Sequence, residues 1–178
     1  MAFDMKVVVI SGSPRRNGNT QILMKYVYEY TKSKNPNTKF INLSEGQIEC
    51  YRGPDEEYNQ ATKDAAQDLM DADIWLIGSP IYNSFFSAGL KNLFEYVNYK
   101  ETEGKVAGMT ILAAGNIGFI GVQTLLTQLL SYFRVITNPK AVFLTTESIT
   151  ENSVSEEGQT RLKEMVDETL EIAEKLED

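Results

Sequence analysis

The 178-residue sequence contains no histidine and a single cysteine, Cys50. A lone cysteine excludes a disulfide within the chain. Without histidine, neither a His-based general acid nor a metal site of the usual His/Cys type is available. Basic residues are also fewer than acidic ones: the sequence has 17 Lys and Arg and 25 Asp and Glu, which gives a net charge of -8. This balance disfavours nucleic acid as a partner.

Long apolar runs are absent as well. No stretch approaches the roughly 20 apolar residues that a membrane span requires. The first residues, MAFDMK, leave no room for a signal peptide before an apolar strand begins. We therefore expect a cytoplasmic protein with no membrane partner. The length fits a single domain, residues 1–178, whose core needs neither disulfides nor metals.

Strand and helix patterns alternate along the chain. A β-branched run at 7–10 predicts the first strand, and further strands are predicted at 38–43, 73–78, 105–114 and 140–145. Apolar residues at helical spacing predict helices at about 19–34, 60–71, 87–98, 122–133 and 156–177. Ser153 and Glu156 offer a capping box for the last helix. Five strands alternating with five helices indicate an α/β fold with a three-layer, doubly wound, five-stranded parallel sheet.

The connection that follows the first strand is the most informative segment. It reads SGSPRRNGNTQ at 11–21 and combines hydroxyls, amides and two arginines with glycines that let the backbone come close. A helix follows at once, and its free N–H groups and dipole favour an anion. The segment has neither the G-x-x-x-x-G-K-[ST] nor the G-x-G-x-x-G pattern, which disfavours a P-loop and a dinucleotide-binding turn. We predict a phosphate site; the alternative is an ordinary strand-to-helix connection.

Two further loops follow the third and fourth predicted strands. One is GSPIYNSFFS at 78–87 and the other is AAGNIGFIG at 113–121. Because the carboxyl ends of parallel strands share one edge of a sheet, both loops should meet the phosphate segment there. Their backbone, with the rings of Tyr82, Phe85 and Phe119, suits a planar ring on a phosphate tail. The alternatives are core packing or a subunit contact for the phenylalanines, and a simple turn for the glycines.

These three segments resemble those of the NADPH-dependent FMN reductase family, which has the flavodoxin-like fold. GSPRRNGNT at 12–20 is similar to the family's phosphate loop, SPIYNSFFSAGLKNLFEYV at 79–97 to its second loop and following helix, and AAGNIGFIGVQTLLTQLL at 113–130 to its third loop. The resemblance implies an enzyme with FMN as cofactor and NADPH or NADH as co-substrate. It also implies a homodimer or homotetramer, because the family uses subunit contacts beside the flavin.

The resemblance also assigns site residues to the three segments. The first segment would hold the phosphate, and the other two would border the isoalloxazine ring. The residues are Ser11, Ser13, Arg15, Asn19, Thr20 and Gln21, then Pro80, Ile81, Tyr82 and Asn83, then Ala114, Gly115, Asn116 and Gly118. No catalytic side chain and no metal ligand is implied, since the flavin itself carries out the chemistry.

Three features of the sequence stand apart from this pattern. Phe86 and Ser87 occupy positions where many family members have proline, which leaves the start of the following helix open. The segment IECYRGP at 48–54 is similar to iron–sulfur flavoproteins, but a cluster needs several cysteines. The long loop at 44–59 is interpreted as a lid, a subunit contact or a mobile acidic loop. Arg52 within it is a candidate for contacting the 2′-phosphate of NADPH.

The sequence thus predicts an FMN-dependent NAD(P)H oxidoreductase. Hydride would pass from the nicotinamide to the flavin, and electrons would then pass to a small-molecule acceptor: a free flavin, a quinone, an azo or nitro compound, or an oxidised metal ion. The backbone N–H groups of Ile81–Ser84 are expected to face the flavin edge. Two other functions stay open at this point: a flavodoxin-type electron carrier, which the acidic charge suits, and a non-redox domain that binds a phosphorylated ligand.

Overall fold

Helices cover both faces of a parallel sheet in the computed structural model, which describes residues 5–177. The strands of this sheet are β1 (Val7–Ser11), β2 (Thr38–Asn42), β3 (Ile74–Pro80), β4 (Val106–Ala113), β5 (Ile136–Thr137) and β6 (Val142–Thr145). The helices are α1 (Asn19–Lys34), α2 (Gln60–Asp71), α3 (Ala88–Glu95), α4 (Phe119–Tyr132) and α5 (Glu156–Glu177). A short antiparallel hairpin, β7 (Ile149–Thr150) and β8 (Ser153–Val154), precedes α5. Among residues 5–177, none of the helices has the length and apolar character to cross a membrane.

The strand order is that of the flavodoxin-like fold. The strands run β2-β1-β3-β4, all parallel, and β5 and β6 both pair with β4 to share the fifth position. This is the order 2-1-3-4-5, in which ligands bind where the order reverses, between β1 and β3. The predicted fold class is therefore confirmed. Pro139 divides the fifth position, because proline has no N–H to donate to the sheet.

The central strands are buried on both sides, as their apolar sequences predict. Every residue of β1, β3 and β4 is buried. Trp75 and its neighbours pack against α2, α3 and α4 on one face, where the indole N–H donates to the carbonyl of Leu69 at 2.9 Å. On the other face, Leu23 of α1 and Met165 of α5 pack against alternate strand residues such as Val9. Packing between these two helix layers fixes the positions of the carboxyl ends of the strands, which all lie at the same edge of the sheet.

Several predicted boundaries are shifted. β3 continues through Ser79 and Pro80, and α4 starts at Phe119, earlier than its apolar spacing predicts. The predicted capping box for α5 is wrong, because Ser153 lies in β8 and donates its hydroxyl to the carbonyl of Thr150 at 2.9 Å. The helix starts at Glu156, so the residue before it, Ser155, is the cap and accepts the N–H of Gly158 at 3.3 Å.

The segment at 44–59 is attached to the neighbouring helices through its backbone. The N–H of Tyr51 donates to Oδ1 of Asn92 at 2.8 Å. The carbonyl of Glu49 accepts both Nδ2 of Asn92 at 2.7 Å and the hydroxyl of Tyr96 at 2.8 Å. The rings of Tyr51 and Tyr96 also meet edge to face, with centroids 5.2 Å apart. These contacts on α3 and the turn after it argue against the interpretation as a freely mobile loop.

Candidate active site

The ends of β1 and β3 approach each other so closely that only glycine fits between them. The N–H of Gly12 donates to the carbonyl of Gly78 at 2.8 Å, and a Cβ at Gly12 would lie 2.5 Å from that same oxygen. Beyond this point, the buried hydroxyl of Ser13 lies 2.8 Å from the hydroxyl of Tyr82 and accepts the N–H of Arg15 at 3.2 Å. The connection after β1 is thereby joined to the connection after β3.

The N-terminus of α1 leaves hydrogen-bond donors available. Its N-cap is Gly18, which has no side chain to cap the helix. The N–H groups of Asn19 and Thr20 and the hydroxyl of Thr20 form no hydrogen bond with any residue in 5–177. α2, α3 and α5, by contrast, are capped by the side chains of Asn59, Ser87 and Ser155. Unsatisfied N–H groups at the positive end of a helix dipole are suited to an anion.

The connection after β3 contains a tight two-residue turn. Tyr82 and Phe85 exchange both backbone hydrogen bonds, at 2.8 and 3.0 Å. Asn83 and Ser84 between them have φ values of 50° and 64°, the left-handed pair of a type I′ turn. The N–H of Ile81 donates to the carbonyl of Leu112 at 3.1 Å. The expectation that all four N–H groups of this turn face a ligand is therefore wrong for Ile81 and Tyr82, and only those of Asn83 and Ser84 are free within the described chain.

Ser87 determines where α3 starts. Its hydroxyl accepts the N–H of Leu90 at 3.0 Å as the N-cap and donates to the carbonyl of Gly12. The helix therefore begins at Ala88, and its first turn is tied to the phosphate segment. Sequence analysis left this start open, although serine is among the preferred N-cap residues. The neighbouring Phe86 is buried in the core and does not face the site.

The connection after β4 brings exposed backbone to the same rim. Ala114, Gly115 and Asn116 are exposed, and a Cβ at Gly115 would have no neighbour within 4 Å. Gly118 has a φ of 91°, and a Cβ there would lie 3.5 Å from Cδ1 of Ile81, so this loop lies beside the second one. The expectation that the Phe119 side chain contacts a planar ligand ring is not supported. Its ring stacks on Phe143 at 5.1 Å and packs against the core.

A cavity of about 200 Å³ lies where the three connections meet. Its lining contains no Asp or Glu. It includes the predicted residues Ser13, Arg15, Asn19, Thr20, Pro80, Ile81, Tyr82 and Ala114, and also Asn17, Gly18, Leu112, Ala113 and Thr146, which were not predicted. Thr146 directly follows β6. Ligands of such sheets lie at the carboxyl ends of the strands, so this rule would have predicted Thr146 if it had been applied to the last strand.

The other predicted residues lie outside this cavity. The side chain of Ser11 is fully buried, and its hydroxyl has no hydrogen-bond partner in residues 5–177. Side chains alternate along a strand, so Ser11 shares the face of Val7 and Val9 beneath α1 rather than facing the rim. Gln21 lines a second, larger cavity next to the first. Asn83, Gly115, Asn116 and Gly118 lie in the rim loops but are not part of the cavity lining.

Positive charge at the cavity comes from Arg15 and the α1 dipole. Arg15 forms no ion pair with the residues that the structure describes. No group of three or more Cys, Asp or Glu in the described chain is placed to hold a metal ion. Arg52 is engaged elsewhere: its guanidinium lies 3.7 Å from carboxylates of both Glu49 and Glu56 and over the ring of Tyr58. The hypothesis that Arg52 contacts a 2′-phosphate therefore finds no support here.

This chemistry is that of a phosphate cradle beside an open rim. The donors at α1, the hydroxyl of Thr20 and Arg15 match a phosphate. The cavity is smaller than the roughly 300–1,000 Å³ of enclosed ligand pockets, so it fits a phosphate and a polyol chain, with a planar ring along the rim of Tyr82 and Ala114. Fold and site together define a flavodoxin-like α/β protein with a cavity at its strand ends whose hydrogen-bond donors suit a phosphate.

The sequence matches the NADPH-dependent FMN reductase family over residues 5–149, and the chain belongs to that family. It is 26% identical over 167 residues to an NADPH azoreductase of Bacillus sp. (strain OY1-2), covering 92% of this chain and 90% of that protein. It is 26% identical over 152 residues to an NAD(P)H-dependent FAD/FMN reductase of Geobacillus thermodenitrificans (strain NG80-2), covering 84% and 82%. The structure of FerB, a flavoenzyme NAD(P)H:(acceptor) oxidoreductase from Paracoccus denitrificans, superposes with a TM-score of 0.75 at 22% identity, covering 96% of this chain and 98% of FerB. The protein is thus an enzyme of the NAD(P)H-dependent FMN reductase family.

Proposed function

We propose that the protein binds FMN at this rim and transfers electrons from NADPH or NADH to a small planar acceptor. The observation that carries the proposal is the convergence of three connections on one cavity at the uncapped N-terminus of α1. Bound FMN supplies the hydride and electron chemistry, for which the chain needs no acid or base of its own. The protein supplies binding, orientation and electrostatics.

At the phosphate end, the chain offers fixed donors. The N–H groups of Asn19 and Thr20 point from the start of α1, and Thr20 adds a free hydroxyl. Arg15 adds a cation that forms no ion pair within residues 5–177. Charge-assisted hydrogen bonds of this kind contribute about 1.5–3 kcal/mol each. This end therefore contributes directly to the affinity for a phosphate.

At the ring end, the backbone provides the electrostatics. The free N–H groups of Asn83 and Ser84 lie in a turn whose other two N–H groups are already bonded, so the turn is preorganised. Donors aimed at a ring edge stabilise negative charge that develops there. The bond from Ser13 fixes the hydroxyl of Tyr82 and so the orientation of its ring.

The acceptor we propose is a flat aromatic compound such as an azo dye, a quinone or a free flavin. Tyr82 and Phe85 are 38% and 47% exposed beside the cavity and offer aromatic surface for stacking. Relatives of this chain are named as an azoreductase and as an FAD/FMN reductase, which supports the same class.

We also propose a homodimer or homotetramer. Ile117, just before α4, is 89% exposed; Ile120 in the first turn of α4 is 67% exposed, and Tyr132 is exposed at its end. Exposed apolar side chains that lie close together on a surface are typical of a contact with another subunit. Light scattering on the purified protein measures the assembly directly. A monomer at micromolar concentration would contradict this part of the proposal.

The test of the reductase activity is anaerobic mixing. Protein is reconstituted with FMN and desalted, NADPH or NADH is added, and the visible absorbance of the flavin is followed. Rapid bleaching is expected. Thr20→Val should weaken FMN binding about tenfold or more, because it removes a hydroxyl from the cradle without changing the side-chain shape. Thr160→Val, on the exposed side of α5, is the matched control and should retain flavin like the wild type.

Three results would contradict the proposal. Flavin that is retained but not bleached by either nucleotide would indicate an electron carrier. Flavin that is not retained, and shows no saturable binding in a titration, would indicate a non-redox protein. Equal weakening by Thr20→Val and Thr160→Val would show that α1 does not hold the phosphate.

A further inference from the structure

The lining of the 200 Å³ cavity at the strand ends is polar on one side and mostly apolar on the other. The connection after β1 supplies the polar side, with Ser13, Arg15 and residues 17–20. The ends of β3 and β4 and the connections after them supply the other side, which consists of Pro80, Ile81, Tyr82, Leu112, Ala113 and Ala114. The hydroxyl of Tyr82 is already bonded to Ser13. Thr146 is the remaining lining residue, and it brings a hydroxyl from the end of the last strand of the sheet.

The position of Thr146 directs its side chain to the side of the sheet that α1 covers. Val142 and Leu144 of β6 pack with residues of α1 and α5 on that side. Because Thr145 is extended, with a φ of -96° and a ψ of 166°, the alternation of side chains continues and Thr146 faces the same side as Leu144. Thr146 is half-buried, and its hydroxyl forms no hydrogen bond with any residue in 5–177. This hydroxyl is therefore free for a ligand in the cavity.

The polyol chain of FMN is the group that this hydroxyl suits. In the proposed binding mode, the phosphate lies at the start of α1 and the ring lies along the rim of Tyr82 and Ala114, so the chain that joins them crosses the cavity between its two sides. Arg15, Thr20 and the N–H groups of α1 are donors for the phosphate. A polyol hydroxyl both donates and accepts, as a threonine hydroxyl does, and leaving it unpaired in a cavity is costly.

We propose that the hydroxyl of Thr146 bonds to the polyol chain of FMN, which makes Thr146 a flavin-binding residue outside the three connections. This inference rests on the proposed binding of FMN at the rim. It divides the work within the cavity, since Thr20 and Arg15 bind the phosphate and Thr146 binds the chain. The two threonines should therefore respond differently to ligands that contain only one part of FMN.

The test combines FMN with two of its parts, inorganic phosphate and lumiflavin, a flavin ring without the polyol phosphate. FMN is titrated by fluorescence, and each part is used as a competitor at constant ionic strength. Thr146→Val removes the hydroxyl and keeps the shape of the side chain. Thr145→Val is the matched control, because it makes the same change at the neighbouring residue, which is not in the cavity lining. Both positions take a β-branched residue in either form, so both variants should fold.

We expect Thr146→Val to weaken FMN binding about fivefold and Thr145→Val to leave it unchanged. The inhibition constants of inorganic phosphate and of lumiflavin should be the same in Thr146→Val as in the wild type. In Thr20→Val, by contrast, the inhibition constant of inorganic phosphate should rise. Thr146→Ser keeps the hydroxyl and should bind FMN within about twofold of the wild type.

The other outcomes separate this inference from the proposed function. Equal FMN affinity in Thr146→Val and Thr145→Val would overturn the inference and leave the FMN site intact. A raised inhibition constant in Thr146→Val for inorganic phosphate, or for lumiflavin, would overturn it by assigning Thr146 to the phosphate or to the ring. A loss in Thr146→Ser as large as that in Thr146→Val would show that the effect is one of packing. Absence of saturable FMN binding to the wild type would refute the proposed function itself.

Discussion

The hydroxyl oxygens of Ser13 and Tyr82 lie 2.8 Å apart, although 69 residues separate them in sequence. Their hydrogen bond joins the connection after β1 to the connection after β3, at the point where the strand order reverses. Ser13 is buried, while the Tyr82 ring is partly exposed at the rim. The phosphate cradle and the surface for a planar ring are therefore coupled through this bond, and a change at one should be measurable at the other.

Tyr82→Phe tests this coupling. The substitution keeps the ring but removes the bond to Ser13, whose net value is about 1 kcal/mol. We expect FMN affinity to fall about fivefold, measured by fluorescence titration. Tyr99→Phe is the matched control, because Tyr99 is 37% exposed and lies in a turn outside the cavity. Unchanged affinity in Tyr82→Phe would show that the ring is oriented by other contacts.

Ser87→Ala should destabilise the fold more than an ordinary surface change. It removes the N-cap of α3 and the bond to the carbonyl of Gly12, at a cost of about 2 kcal/mol in the free energy of unfolding. Urea denaturation measures this. Ser131→Ala removes one exposed hydroxyl bond on α4 and should cost less than about 0.5 kcal/mol. A similar loss in both variants would contradict the role assigned to Ser87.

Two glycine substitutions should change stability in opposite directions. A Cβ at Gly78, in the middle of the sheet, would lie 2.2 Å from Cγ of Met24, so Gly78→Ala overpacks the layer beneath α1. We expect a loss of about 1–3 kcal/mol or more. A Cβ at Gly121, in α4, would meet nothing within 4 Å, and Gly121→Ala should add about 0.5–1 kcal/mol through helix propensity. Thermal denaturation of both variants measures whether each is less or more stable than the wild type. A Gly78→Ala variant as stable as the wild type would mean that the Met24 side chain moves aside.

Tyr96 should make stability depend on pH in the alkaline range. Burial, followed by the nearby Tyr58, raises the pKa of Tyr96 from 10.0 to about 12. Between these values the folded protein keeps the phenol proton while the unfolded chain has lost it. The native state then binds more protons, so stability is full below about pH 10 and falls as the pH rises towards 12.

Tyr96→Phe isolates this contribution. The variant loses the bond to the carbonyl of Glu49, so its stability is lower at neutral pH. Its further loss between about pH 10 and pH 12 should be smaller than that of the wild type, because the titrating group is gone. Urea denaturation across this range measures the difference in slope. Parallel curves for the two proteins would contradict the raised pKa.

Local patterns predicted the helices well where one face of the segment is buried along its whole length. The predicted bounds of α1, α2 and α5 agree with the structure, because apolar residues at helical spacing have to face the sheet. The connection after β1 was also recognisable as a loop between a strand and a helix, since the three follow one another directly in sequence. The fifth strand position was predicted only in part, because β5 has two residues and shows no alternation. The β7–β8 hairpin was missed for the same reason.

The sequence by itself determined the alternation of strands and helices, the three connections at the strand ends and the family resemblance, because each depends on residues close together in the chain. Only the tertiary structure decided which side chains reach the cavity. Ser11 and Phe119 lie in these connections, but their side chains pack between the sheet and the helices. Thr146, which follows the last strand of the sheet, lines the cavity instead. The second cavity likewise exists only because α1 and the hairpin before α5 pack together. Such contacts depend on register and packing between distant segments, which local periodicity does not record.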